Sequence, residues 1–220
     1  MLKLVIGNKN YSSWSLRPWM LLSASGLNFE EENVSLNADG LFDRLGRYSP
    51  THRVPVLIDE DNNFSVWDSL AICEYVSEKY LGGKGWPDDL MKRAQARAVT
   101  AEMHSGFTGL RSEMPMNCRA LRRVEASETT RRDIARIDEM WRSALSESGG
   151  PWLYGDFSIA DCFYAPVIMR FKTYGVALSE DAQKYQDFFL NDETLNEWVD
   201  AALQETEIVP EDEAGIERNP

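Results

Sequence analysis

Residues 81–88, Leu-Gly-Gly-Lys-Gly-Trp-Pro-Asp, gather three glycines and a proline into one short stretch. Such a cluster punctuates regular structure, and the hydrophobic spacing changes on its two sides. Before it, short apolar runs alternate with helical patterns. Leu2–Ile6 reads as a strand, and Ser15 onward as a helix carrying Leu16, Trp19 and Met20 on one face. Phe29–Leu36 reads as a weak strand and Asp39–Gly46 as a short helix. Val54–Ile58 and Phe64–Trp67 flank Asp59-Glu-Asp-Asn-Asn63, the pattern of a hairpin. Pro55 cannot donate to a central ladder, so a strand-initial or cis proline is expected there. Asp68-Ser69 opens a further helix. After the break every segment has helical spacing, near 89–114, 128–148, 158–175, 179–190 and 193–206. The chain therefore divides into a βαβ-α-ββα domain over 1–80, a linker over 81–88 and an all-α domain over 89–220.

A formal charge of −13 argues against a nucleic-acid-binding domain and against an anionic membrane surface as partners. Residues 205–220 hold six acids against Arg218 alone, so the body is only mildly acidic. No apolar run reaches the length of a membrane span, and the opening residues are too soon polar for a signal peptide. The three cysteines, Cys73, Cys118 and Cys162, are widely spaced, and only His52 and His104 accompany them. No metal site or disulfide framework is expected, and reduced thiols in the cytoplasm follow.

Four short motifs carry possible chemistry. Tyr11-Ser-Ser-Trp-Ser15 lies between a strand and a helix N-terminus, where free amides and the helix dipole favour an anion such as a thiolate; its serines also suit a cap. Arg53-Val-Pro-Val56, with Pro55 in cis, offers the Val54 backbone to a peptide-like ligand. Asp68 and Ser69 at a helix start can hold an ammonium and a carboxylate of one ligand. Ser158-Ile-Ala-Asp161 is a capping box. Arg119, Arg122, Arg123, Arg131 and Arg132 read as a solvated helix connection.

In order and spacing these motifs resemble the cytosolic glutathione transferase superfamily over nearly the whole chain. Ser49-Pro-Thr-His-Arg-Val-Pro-Val-Leu57 and Asp68-Ser-Leu-Ala-Ile-Cys-Glu-Tyr75 carry the likeness, with Ser158–Asp161. The Ser-type zeta class is most similar, through Ser12-Ser-Trp-Ser-Leu-Arg17, with Trp14 where that class has cysteine. The resemblance implies a thioredoxin-like N-terminal domain, an all-helical C-terminal domain, a homodimer and glutathione as co-substrate. It gives Ser12 the catalytic hydroxyl, with Ser13 and Trp14 beside it. Arg53 would meet the glycyl carboxylate, Val54 and Pro55 the cysteinyl unit, and Asp68 and Ser69 the γ-glutamyl end. A small hydrophobic electrophile would lie against Tyr11, Met103, Phe107 and Arg111. A maleylacetoacetate isomerase-like activity, or a non-catalytic binding module on the same fold, is the alternative.

Overall fold

The computed structural model describes residues 1–37 and 39–219. Four strands form one sheet in the order β2-β1-β3-β4: β1 Leu2–Gly7, β2 Phe29–Val34, β3 Val56–Asp59 and β4 Phe64–Val66. β1 runs parallel to β2 and antiparallel to β3, and β3 to β4 is the expected hairpin. The period-2 alternation of β1 sorts its side chains. Leu2, Leu4 and Ile6 join the core formed with α1 (Ser13–Ala24) and α3 (Ser69–Tyr80). Val5 points to the other face, with Val34, Val56 and Leu45 of the short α2 (Leu41–Leu45).

Asp59 ends β3 and ties the sheet to α3. Its buried carboxylate accepts hydrogen bonds from Tyr75 Oη at 2.6 Å, Lys79 Nζ at 3.1 Å, Asn62 Nδ2 and Tyr80 Oη. Burial alone would raise this carboxyl's pKa. The hydrogen bonds from Tyr75, Tyr80, Asn62 and Lys79 outweigh it and hold the group well below the usual carboxylate range.

The rest is mostly helical: α4 Leu90–Ser105, α5 Thr108–Glu113, α6 Glu128–Ser148, α7 Ile159–Tyr174, α8 Glu180–Leu190 and α9 Glu193–Gln204. The spacing over 89–114 predicts one helix, but two form. Gly106 ends α4 in an extended conformation, and Phe107 takes a left-handed φ of 53°. A Cβ on Gly106 would lie 2.7 Å from the Glu102 carbonyl oxygen, so the break needs glycine.

α7 is the axis of this half and is buried along nearly all its length. Its capping box is present as expected. Asp161 also accepts from Leu153 N at 3.1 Å and Tyr185 Oη at 2.9 Å, while burial raises its carboxyl pKa to about 6. α7 packs against α1, joining the two halves through one continuous core. No helix among the described residues is long and apolar enough to cross a membrane.

Of the arginine-rich connection, Arg123, Arg131 and Arg132 are exposed as expected, while Arg119 and Arg122 are half-buried and engaged by the C-terminal segment. Arg122–Arg123 forms β5, which pairs antiparallel with β6, Ile216–Glu217. The acidic C-terminal segment is thereby folded back onto the body; Pro220 lies outside the described residues.

Candidate active site

The loop 8–12 leaves β1 and delivers two serines to the start of α1. Its own turn is closed by Tyr11 N and Ser12 N, both donating to the Asn8 carbonyl. Lys9 fixes it to the interior. The Lys9 ammonium pairs with Glu31 at 2.8 Å and lies over the rings of Trp19 and Trp198, while Trp198 Nε1 donates to the Lys9 carbonyl.

The two serines have different partners. Ser12 is the N-cap: its Oγ accepts from Ser15 N and donates to Ser15 Oγ at 2.7 Å. Ser15 Oγ in turn accepts from Gly7 N at 3.1 Å. The proton of Ser12 is thus directed back into the turn. Ser13 Oγ accepts from Arg170 Nη2 at 3.3 Å, and its proton has no acceptor among the described residues. The Trp14 amide, in the first helical turn, likewise has no carbonyl or side-chain partner there.

Two cavities meet at this helix end. One, about 620 Å³, is lined on one side by Tyr11, Ser12, Ser13 and Trp14, and on the other by Arg111, Met116, Arg170 and Asp212. The second, about 580 Å³, lies between Trp14, Arg53–Pro55, Trp67–Ser69 and Arg111. Trp14, Arg53, Val54 and Arg111 border both, so the two form a continuous cleft.

The second cavity's wall is rich in polar groups without partners. The Val54–Pro55 bond is cis, β3 starts only at Val56, and Val54 makes no backbone hydrogen bond among the described residues. Arg53 is exposed and has no ion pair there. The Ser69 hydroxyl is buried without a partner among the described residues. Asp68 caps α3 through Leu70 N at 2.8 Å, and its other oxygen lies 3.2 Å from His104 Nε2. His104 therefore orients Asp68 and lines neither cavity. Burial lowers its pKa, outweighing the opposite pull of Asp68.

The sequence and the fold are both matched by known proteins. Family models described as glutathione S-transferase N-terminal and C-terminal domains match residues 11–79 and 123–201. The chain belongs to the glutathione S-transferase family. Over 61 residues it is 43% identical to dichloromethane dehalogenase of Methylorubrum extorquens, a match covering 26% of this chain but only 20% of that protein. It is 26% identical over 172 residues to a probable maleylacetoacetate isomerase of Caenorhabditis elegans, covering 76% of this chain and 78% of that one. A glutathione transferase homologue from Burkholderia, solved with bound glutathione, shares the fold with a TM-score of 0.70 at 23% identity, over 91% of this chain and 97% of the other.

Not every residue assigned from the sequence of this glutathione S-transferase homologue reaches the cleft. Met103 is wholly buried in the core and Phe107 nearly so, and neither lines either of these two cavities. The i, i+4, i+8 stripe that joins them to Arg111 assumes an unbroken helix, and the break at Gly106–Phe107 removes it. Arg111, on α5, does border both cavities. Tyr11 lines the first, but its hydroxyl is held by Glu213 at 2.6 Å. All three cysteines are buried, and burial raises each thiol pKa, that of Cys118 to about 12. None is poised as a nucleophile.

Two arginines carry more weight than their sequence context suggests. Arg17 is fully buried, stacked under Trp14 at 4.1 Å and beside Phe163 at 4.6 Å, and its Nε and Nη1 have no partner among the described residues. Burial first, then repulsion by Arg111 and Arg170, lowers its pKa to about 9. Arg111 lies over Trp14 at 4.6 Å, so that ring sits against two guanidinium groups. Arg170 donates to the Met114 carbonyl and to Ser13, and burial lowers its pKa to about 10. A signal for Arg170 was available: it is the one cation in the apolar run Phe163–Phe171, where a charge needs a site or a partner.

Proposed function

We propose that this chain binds glutathione, ionises its thiol through a serine hydroxyl and transfers the sulfur to small hydrophobic electrophiles. One observation carries the reading: the polar groups around the cleft match the tripeptide end for end, and Arg53, the Val54 backbone and the Ser69 hydroxyl have no partner among the described residues. Asp68 suits the γ-glutamyl ammonium and the buried Ser69 hydroxyl its carboxylate. The unpaired Val54 backbone suits the cysteinyl unit, and Arg53 the glycyl carboxylate.

The thiol then lies at the N-terminus of α1. A free thiol with a pKa near 8.5 is about a few per cent ionised at neutral pH. Lowering that pKa by about two units requires roughly 2.7 kcal/mol of preference for the anion. A hydrogen bond to a charged group contributes about 1.5–3 kcal/mol, and the helix end about 0.3–1 kcal/mol. The catalytic role expected of Ser12 passes to Ser13 in this reading. The Ser12 proton is committed to Ser15, whereas Arg170 donates to Ser13 Oγ and polarises its free O–H toward an acceptor. The thiol proton leaves to solvent. The sulfur lone pair attacks the electrophilic carbon, and the leaving group departs with the bonding pair.

The 620 Å³ cavity, with Tyr11, Met116 and Arg111 in its wall, is where the electrophile belongs. Exposed Phe64, Trp67, Leu90 and Met91 offer apolar surface that a second copy would cover in a homodimer. The likeness to a probable maleylacetoacetate isomerase keeps a glutathione-dependent cis–trans isomerisation as the second reading. Titration calorimetry with glutathione is the first test; no heat at millimolar ligand overturns the proposal. Parallel assays with a chlorinated aromatic acceptor and with maleylacetoacetate separate transfer from isomerisation.

A further inference from the structure

The acidic C-terminal segment closes on the loop that carries the serines, and it does so through carboxylates. Glu205 Oε1 accepts from Lys9 N at 2.7 Å, and Glu205 Oε2 from Asn10 N at 3.0 Å. One side chain thus bridges two successive main-chain amides of the loop, across almost the full length of the chain. Glu207 accepts from Asn8 Nδ2 at 2.6 Å and from Ser35 Oγ. Glu213 accepts from Tyr11 Oη and from Asn117 Nδ2 at 2.9 Å, and pairs with Arg122.

The segment is itself fastened at both ends. Arg119 donates to the carbonyls of Glu205 and Glu207, and also to Tyr11 Oη at 3.0 Å. Further on, β6 pairs with β5, and the Arg218 guanidinium donates to the Thr173 and Lys172 carbonyls at the end of α7. Between these anchors the segment carries Asp212 into the wall of the larger cavity. The loop is therefore clasped from outside by Glu205 and from inside by Trp198 on the Lys9 carbonyl.

We propose that Glu205 is a positioning residue of the active site: its carboxylate clasps the Lys9 and Asn10 amides and so sets where the α1 N-terminus presents Ser13. The assignment rests on the glutathione-transfer reading above. Its physical basis is geometric. A carboxylate with two oxygens is matched to two adjacent N–H donors, and a misplacement of about 1 Å at a reacting group can cost about 100-fold in rate.

The test is Glu205→Gln in the full chain. The amide keeps the size but has one acceptor oxygen, so one loop amide loses its partner. The pKa of glutathione's thiol, followed in the binary complex by thiolate ultraviolet absorbance, is expected to rise by about one unit. The kcat at neutral pH should fall about three-fold, in step with the thiolate fraction. The KM for glutathione should stay within about two-fold, because Arg53, Val54, Asp68 and Ser69 hold the peptide elsewhere. Hydrogen exchange at the Lys9 and Asn10 amides should accelerate. Glu128→Gln, at an exposed pair with Arg132, should change none of these.

Faster exchange with an unchanged thiol pKa makes Glu205 merely structural and overturns the proposal. Unchanged exchange overturns the clasp itself. If Glu205→Gln does not fold, Arg119→Gln, which frees the Glu205 and Glu207 carbonyls, must raise the thiol pKa in the same direction or the proposal fails. A wild-type chain that binds no glutathione overturns the functional reading, while amide exchange still reports on the clasp independently.

Discussion

The two halves of the cleft are built on different plans. The wall proposed for glutathione is local: Arg53, Val54 and Pro55 come from one strand entry, and Asp68 and Ser69 from one helix start. Its polar groups are poised by backbone geometry, and all but Asp68, which Leu70 N and His104 engage, have no competing partners among the described residues. The wall proposed for the electrophile is composite. α1, α5, α7 and the C-terminal segment all contribute, and its polar groups are already engaged, Tyr11 with Glu213 and Arg170 with Ser13. A local wall suits a ligand of fixed chemistry. A composite wall can change with any of several distant segments, as suits a variable acceptor.

The largest expected effect tests whether the local wall stands on its own sheet-to-helix anchor. Asp59→Asn removes the charge that Tyr75, Tyr80 and Lys79 surround, and should cost about 3–5 kcal/mol in chemical denaturation. The sign with pH is fixed. Asp59 has its pKa depressed on folding, so its stabilisation is fully present above the unfolded value near 4 and lost as pH falls through the folded one. The gap between wild type and Asp59→Asn must therefore shrink below about pH 4. A gap constant with pH would remove the charge from the explanation.

Next in size is the pair of serines where the two walls meet. Ser13→Ala should lower kcat/KM about 10- to 100-fold, the equivalent of a charge-assisted hydrogen bond of about 1.5–3 kcal/mol. Ser12→Ala should lose stability as a cap, about 0.5–2 kcal/mol, with little change in turnover per folded molecule. The reverse ranking would return the hydroxyl role to Ser12.

Smaller effects sharpen the contrast between unpartnered and engaged groups. Ser69→Ala removes a buried hydroxyl that satisfies nothing among the described residues. Thermal stability should hold or rise slightly, while the glutathione dissociation constant increases about ten-fold by calorimetry. A drop in melting temperature with unchanged affinity would make Ser69 structural. Smallest of all, Met103→Leu conserves volume in the core and should cost less than about 1.5 kcal/mol. It should leave the acceptor's KM unchanged; a shift there would return Met103 to the pocket.

The pieces readable from sequence share one property: their cause is local. The hairpin around Asp59–Asn63 and the capping box at Ser158–Asp161 each follow from side chains a few positions apart. The helix stripe from Met103 to Arg111 failed for the same reason in reverse. Spacing assumes continuity, and a single glycine pressed against the Glu102 carbonyl ended the helix. Arg119 and Arg122 read as solvated because their partners, Glu205, Glu207 and Glu213, stand some ninety positions away.

Sequence by itself determined the order of strands and helices, the family and the stretches that carry the polar ends of the cleft, because each depends on short-range backbone preference. Tertiary structure alone decided which of two neighbouring serines keeps its proton available, which arginines face the cavity and where the acidic terminus goes. Those outcomes depend on which distant donor or acceptor arrives within about 3 Å, and hydrogen bonding of that kind leaves no periodic trace in the chain.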